Sequence, residues 1–244
     1  QICIRGDYWG ANRITLGPAQ LWDIDAFAVL PGFSYDITTT EGNVPGGQRM
    51  DFFGGNLGAG NNFTFNGSAE HDGSFRVFGG LGTDNFTGGA GNDGFYFGPA
   101  RFDRSLDHVN GGAGANDQLA LDGNYTLSFT GSEFTGIELL ALLKGTVASP
   151  ASYDISFADA VVGTGQAFTV WGAQLVTSMV FNGAAESDGR FFVFGGTLGD
   201  AITTGSGNDT LFGGNGADSL TGGAGAAPFL HHGPAATGST PYDP

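Results

Sequence analysis

Apolar and polar positions alternate along this chain in short bursts. Ser34–Thr39 (SYDITT), Phe75–Phe78 (FRVF) and Ala167–Trp171 (AFTVW) are rich in β-branched and aromatic residues and bounded by Gly, Pro or Asn, which predicts strands. Leu139–Leu143 is composed like helix, but five apolar residues followed by Lys-Gly predict a buried strand. Elsewhere a large apolar residue returns every nine positions: Phe86 and Phe95, then Ile202, Leu211, Leu220 and Phe229, with Leu119 after an insertion. Nothing in the pattern demands a helix. The fold class predicted is all-β.

The pattern is also duplicated. Residues 65–98 and 181–214 are offset by 116 and agree at 19 of 34 positions. Upstream, Ser34-Tyr35-Asp36-Ile37 matches Ser152-Tyr153-Asp154-Ile155, and 14–32 tracks 127–145. Two tandem modules are expected, 1–118 and 119–244, each with a strand-rich part followed by a Gly-Asp array. The chain opens at Gln1, just inside its first module and without a leader, which points to a piece of a longer array.

The first array comprises GGLGTDNFT (79–87), GGAGNDGFY (88–96) and, after 98–110, the overlong GGAGANDQL (111–119). The second comprises GGTLGDAIT (195–203), TGSGNDTLF (204–212), GGNGADSLT (213–221) and the decayed GGAGAAPFL (222–230). The last three residues of a unit form a minimal strand with the middle side chain facing inward. The first six form a turn, for which glycine is expected to supply positive φ. One unit then makes half a coil, and alternate units stack on one edge. Stacked turns bring like-charged aspartates together, which needs a cation between them. Ca²⁺ suits such a cage because it accepts six to eight oxygens in irregular geometry, whereas Mg²⁺ demands an octahedron. With no Cys or His in the units, zinc is disfavoured.

The units follow G-G-x-G-x-D-x-U-x and resemble the repeats-in-toxin (RTX) family of calcium-binding β-rolls. The resemblance implies a parallel β-roll or β-solenoid folding on calcium outside the cell. It also implies carboxylate ligands at Asp84, Asp93, Asp117, Asp200, Asp209 and Asp218. Carbonyl ligands are implied among Gly79, Gly82, Gly88, Gly91, Gly195, Gly205, Gly207, Gly213 and Gly216. Leu198 stands where Gly is expected and should distort its turn, and Ala227 replaces the aspartate of the last unit. Because 98–110 interrupts the first stack, only the second module is expected to complete a site. A further acidic element precedes each array, Glu70-His71-Asp72-Gly73 and Glu186-Ser187-Asp188-Gly189, and could cap it with another calcium.

Composition narrows the function. Gly supplies 46 of 244 residues, yet 40% of the chain is hydrophobic, enough to build a core. A formal charge of −16 disfavours nucleic acid and anionic lipid. Cys3 stands alone, so a metal is the expected staple. No apolar run reaches membrane-spanning length.

H-E-x-x-H and G-x-S-x-G are absent from the sequence, and no catalytic site is expected. The cluster Arg101, Asp103, Arg104, Asp107, His108 is the best enzyme candidate, for a solenoid lyase, but reads better as a charged surface loop, with His71 also in an exposed loop. Trp9, Trp22, Trp171 and the many Phe fit core ladders better than a sugar platform. His231-His232 sits in a Gly/Pro/Ala-rich tail whose sequence loosely resembles the start of the segment before a type I export signal. The favoured function is an extracellular calcium-binding structural segment of a surface layer, filament or adhesin, with further copies of itself as partners. A noncatalytic tail of a secreted hydrolase and a module binding cell-surface glycans are the alternatives.

Overall fold

The computed structural model describes residues 1–18, 24–225 and 228–231, the last three in backbone only. The fold is an all-β, parallel β-solenoid, relieved among the described residues only by two three-residue 3-10 turns, Gly10–Asn12 and Asp159–Val161. The chain divides into two compact units, Gln1–Ala120 with Glu133–Ile137, and Leu121–Ser132 with Glu138–Pro244.

In the first unit, Ile2–Ile4, Ala26–Val29, Arg49–Phe53, Ser74–Phe78 and Gly94–Phe97 follow one another in one sheet, joined by the start of Gln118–Asp122. The facing sheet runs Ile14–Thr15, Tyr35–Thr38, Phe63–Asn66, Asp84–Thr87, His108–Asn110 and Phe134–Thr135. In the second unit, Leu139–Leu143, Ala167–Trp171, Arg190–Phe194, Thr210–Gly214 and Phe229–His231 form one sheet. Tyr125–Phe129, Tyr153–Phe157, Met179–Asn182, Ala201–Thr203 and Ser219–Thr221 form the other. The predicted strands, Leu139–Leu143 among them, are all present.

Register gives the coil length directly. Phe27 pairs with Phe52 and Phe52 with Val77, 25 residues per coil, and Ile155 pairs with Phe181 after 26. Within the arrays the coil contracts: Val77 pairs with Phe95, Val193 with Leu211 and Ile202 with Leu220, each after 18 residues. Two nonapeptides therefore close one coil.

The apolar positions of the pattern face inward. Phe86, Phe95, Leu119, Ile202, Leu211 and Leu220 are all buried. Aromatic rings fill the interior of each unit, with Phe52 4.5 Å from Phe65 and Phe86 5.7 Å from Phe97 in the first. In the second, Phe157 lies 5.5 Å from Phe181, which lies 5.2 Å from Phe191. Burying each such ring contributes about 2–3 kcal/mol, which is what holds coils this short together.

Three expectations need correction. Trp9 and Trp171 lie on the surface, 40% and 39% exposed, so neither builds the core; Trp22 lies outside the described residues. Trp171 instead heads an outward ladder, 4.6 Å from Phe194, which stacks 4.5 Å from Phe212. His108 is exposed but sits on a strand, not in a loop. The segment 98–110 does not interrupt the stack. Its end, His108–Asn110, pairs in parallel with Asp84–Thr87, and Val109 stands opposite Phe86. An inward Val109 and a buried Asp107 two residues before it are enough to continue a coil without glycines.

Candidate metal centre

The aspartates at the ends of the turns are buried, and their hydrogen bonds explain the repeat. One carboxylate oxygen turns back on its own unit: Oδ2 of Asp84, Asp93 and Asp200 accepts the N–H of Gly80, Gly89 and Gly196 at 2.6–2.7 Å. The other reaches the preceding coil. Oδ1 of Asp93 accepts from the Phe75 N–H (2.6 Å), that of Asp200 from Met179 (2.7 Å) and that of Asp209 from Phe191 (2.7 Å). Aspartates also link to each other along an edge. Oδ1 of Asp117 accepts from the N–H of Asp93 at 2.6 Å, and Oδ1 of Asp218 from that of Asp200 at 3.0 Å.

Glycine leaves room for this contact. At the first position of a unit, a Cβ on Gly79 would lie 2.7 Å from Asp84 Oδ2, and Gly88, Gly195 and Gly213 are tighter still against their own aspartates. At the second position, a Cβ on Gly89 would lie 2.5 Å from the Glu70 carbonyl oxygen, and Gly205 faces the Glu186 carbonyl at closer range. At the fourth, Gly82, Gly91 and Gly207 press on the backbone of Asn61, Gly73 and Gly189. The expectation that these turns need positive φ is therefore largely wrong. Among the array glycines only Gly112, Gly214, Gly216 and Gly223 have it. Parallel coils stack so closely that a neighbour's carbonyl takes the place of a side chain.

Nor does Leu198 displace its aspartate. Asp200 keeps both hydrogen bonds, Leu198 is 49% exposed, and Gly199 takes up the close approach instead, since a Cβ there would lie 2.6 Å from the Ala217 carbonyl oxygen. In the overlong unit, the N–H groups of Ala115 and Asn116 are held by Asn92 Oδ1 (3.3 and 3.2 Å), which absorbs the additional residue and keeps Asp117 buried.

Burial leaves these carboxyls hard to ionise. Burial pushes Asp84 up to about 8, helped by the neighbouring charge of Asp107. It pushes Asp93 up to about 7 and both Asp107 and Asp200 up to about 6, and it raises Asp209. Asp84, Asp93, Asp200 and Asp209 make no ion pair with any described residue.

A family model described as the RTX calcium-binding nonapeptide repeat matches residues 76–98 and 194–226, in four copies. Those two segments carry RTX repeats. No curated protein and no solved structure matches the chain.

The RTX turns fit calcium on their own geometry. Asp84 Oδ1, buried, has no hydrogen-bond partner. The carbonyl oxygens of Gly79, Gly82, Gly88, Gly91 and Gly195 accept no hydrogen bond from the described residues. The donor set is hard oxygen throughout, which calcium prefers. Of the carboxylates expected at the turns, Asp84, Asp93, Asp117, Asp200, Asp209 and Asp218 are all buried at coil edges. Ala227 and His232 lie outside the described residues.

Sequence reasoning missed Asp107. It is fully buried, its Oδ1 accepts the Asp84 N–H (2.8 Å), and its Oδ2 accepts that of Asp103 (2.7 Å). Far from being a surface-loop residue, it repeats the turn aspartate in F-D-R-S-L-D, so the first module carries a continuous aspartate edge as well. The signal available was an acid two residues before an inward Val.

The acidic elements ahead of the arrays come together with one acid each that the motif did not contain. Glu41 joins Glu70 and Asp72, and Asp159 joins Glu186 and Asp188, each group with ligand atoms within 4.8 Å of one another. Glu70 and Glu186 are buried, and their carbonyls accept the N–H of Ala90 and Ser206 (both 2.9 Å), which places them one coil ahead of Asp93 and Asp209. Glu41 and Asp159 share the 118-residue offset of Ile37 and Ile155, so the duplication itself could have revealed them.

Proposed function

We propose that this chain is an extracellular, calcium-dependent structural segment of a secreted surface-layer, filament or adhesin-type protein. The supporting observation is the burial of Asp84, Asp93, Asp200 and Asp209 at coil edges, with no ion pair to any described residue, in a scaffold of parallel coils. Such an edge is unfavourable in the low calcium of a cytosol and favourable outside, so folding follows export. Duplicated modules build length, as repeat architectures do. The test is far-UV circular dichroism and thermal melting of the chain with millimolar calcium or with chelator, together with electron microscopy for calcium-dependent assembly. An unchanged β signal and Tm after calcium removal would sink the reading.

One observation favours a second role. The outward rings Trp171, Phe194 and Phe212 have counterparts in Phe53, Phe78 and Tyr96 of the first module, where Phe53 lies 4.7 Å from Phe78 and Phe78 5.1 Å from Tyr96. A ladder of half-buried rings headed by the exposed Trp171 suits the apolar faces of sugars. Calcium-dependent retention on a glycan array, lost at least tenfold in Trp171→Ala, is the expected outcome; equal retention of the variant removes this role.

A further inference from the structure

We propose that Asp159, Glu186 and Asp188 form a calcium site of their own, ahead of the second array and separate from the RTX turns. It rests on the same ion chemistry as the reading above but on different side chains.

The three carboxylates offer ligand atoms within 4.8 Å of one another, and none forms an ion pair with a described residue. Each is oriented through one oxygen. Glu186 Oε1 accepts the N–H of Asp188 (3.1 Å) and of Gly189 (2.7 Å). Asp159 Oδ1 accepts the N–H and the hydroxyl of Ser187, both at 2.7 Å, and Asp188 Oδ2 accepts the Thr164 hydroxyl at 2.7 Å.

The decisive atom is Glu186 Oε2. The residue is 1% exposed, and this oxygen has no hydrogen-bond partner. A buried carboxylate oxygen left bare costs free energy unless something binds it. Two exposed aspartates beside it identify that partner as a cation. Three oxygen ligands with a side open to water suit Ca²⁺.

Placement gives the ion a role. Asp159 belongs to one coil and Glu186 to the next, where the coils shorten from 26 residues (Ile155 to Phe181) through 21 (Phe181 to Ile202) to 18 (Ile202 to Leu220). An ion there ties the last long coil to the beginning of the array. The first module brings together Glu41, Glu70 and Asp72 in the same places, but there Glu70 Oε2 accepts the Val44 N–H (3.3 Å) and His71, where the second module has Ser187, contacts Glu41.

The experiment compares calcium stoichiometry, by equilibrium dialysis of the full chain, between wild type and the double variant D159N/D188N. Both positions are exposed, and Asn can still accept the Ser187 and Thr164 hydrogen bonds. The expected result is one calcium fewer per chain, with the same circular dichroism spectrum at saturating calcium. Anomalous scattering from wild-type crystals grown in calcium should show a peak among the three carboxylates. Undiminished stoichiometry, or turns occupied while this site shows no peak, overturns the proposal and leaves the RTX reading intact. A wild type that binds no calcium overturns both.

Discussion

Raising the pH of the calcium-free chain from 5 to 8 should destabilise it, and calcium should cancel that trend. Asp84 titrates near 8 and Asp93 near 7 in the folded chain, against 3.8 for an unperturbed carboxyl, because burial penalises their charged forms. Their folded pKa values are raised, so the folded state holds protons that the unfolded state has released. Their contribution is therefore fully present below pH 3.8 and is lost as pH rises through 7 and 8. Over the window from pH 5 to 8, Asp84 loses roughly 4 kcal/mol and Asp93 roughly 3, at 1.36 kcal/mol per pH unit. Water admitted to the turns trims the sum to about 3–5 kcal/mol, still a large part of the 5–15 kcal/mol typical of a domain. Calcium changes the sign: a metal competes with protons for the same oxygens, so binding strengthens as the carboxyls ionise. Urea denaturation followed by far-UV circular dichroism, at unit pH steps with and without millimolar calcium, measures both slopes. Asp84→Asn, which removes the larger titration, should flatten the calcium-free slope by about half. A calcium-free stability that is level or rising between pH 5 and 8 would refute the argument that these carboxyls are buried without compensation.

Two further substitutions separate the turn from the core. Gly207→Ala should cost about 2–4 kcal/mol and lower calcium affinity, because its Cβ would strike the Gly189 carbonyl although φ there is not positive; isothermal titration and thermal melting give both values. Phe86→Ala should cost about 3–5 kcal/mol in urea denaturation, since its fully buried ring packs against Phe63 at 5.3 Å and Phe97 at 5.7 Å, with calcium stoichiometry in the folded variant unchanged.

What was legible in the sequence was whatever repeats at short range. The nine-residue return of an apolar side chain is itself the inward face of the coil, which is why Phe86, Phe95, Ile202, Leu211 and Leu220 could be placed before any geometry was known. Aspartate six positions into most of the units was legible for the same reason. Asp107 was not, because F-D-R-S-L-D has lost every glycine that marks the motif while keeping the two features the coil needs, a buried acid and an inward Val109. Nor were the surface tryptophans: a ring on a strand of alternating orientation is buried or exposed by a one-residue difference in phase, and Trp171 follows the inward Val170.

Glycine carries the deepest lesson, because its abundance has two physical meanings that composition does not separate. It can relieve φ, or it can leave room for a neighbour. Gly91 and Gly207 have ordinary backbone angles, and their absent side chains are replaced by carbonyls from the coil before. The same close approach sets aspartate beside aspartate. Coils spaced loosely enough to tolerate alanine would hold the carboxyls farther apart, with water between them, and the need for a cation would fall. Tight stacking and calcium dependence are thus one property of these arrays, and a substitution that relaxes the first should weaken the second.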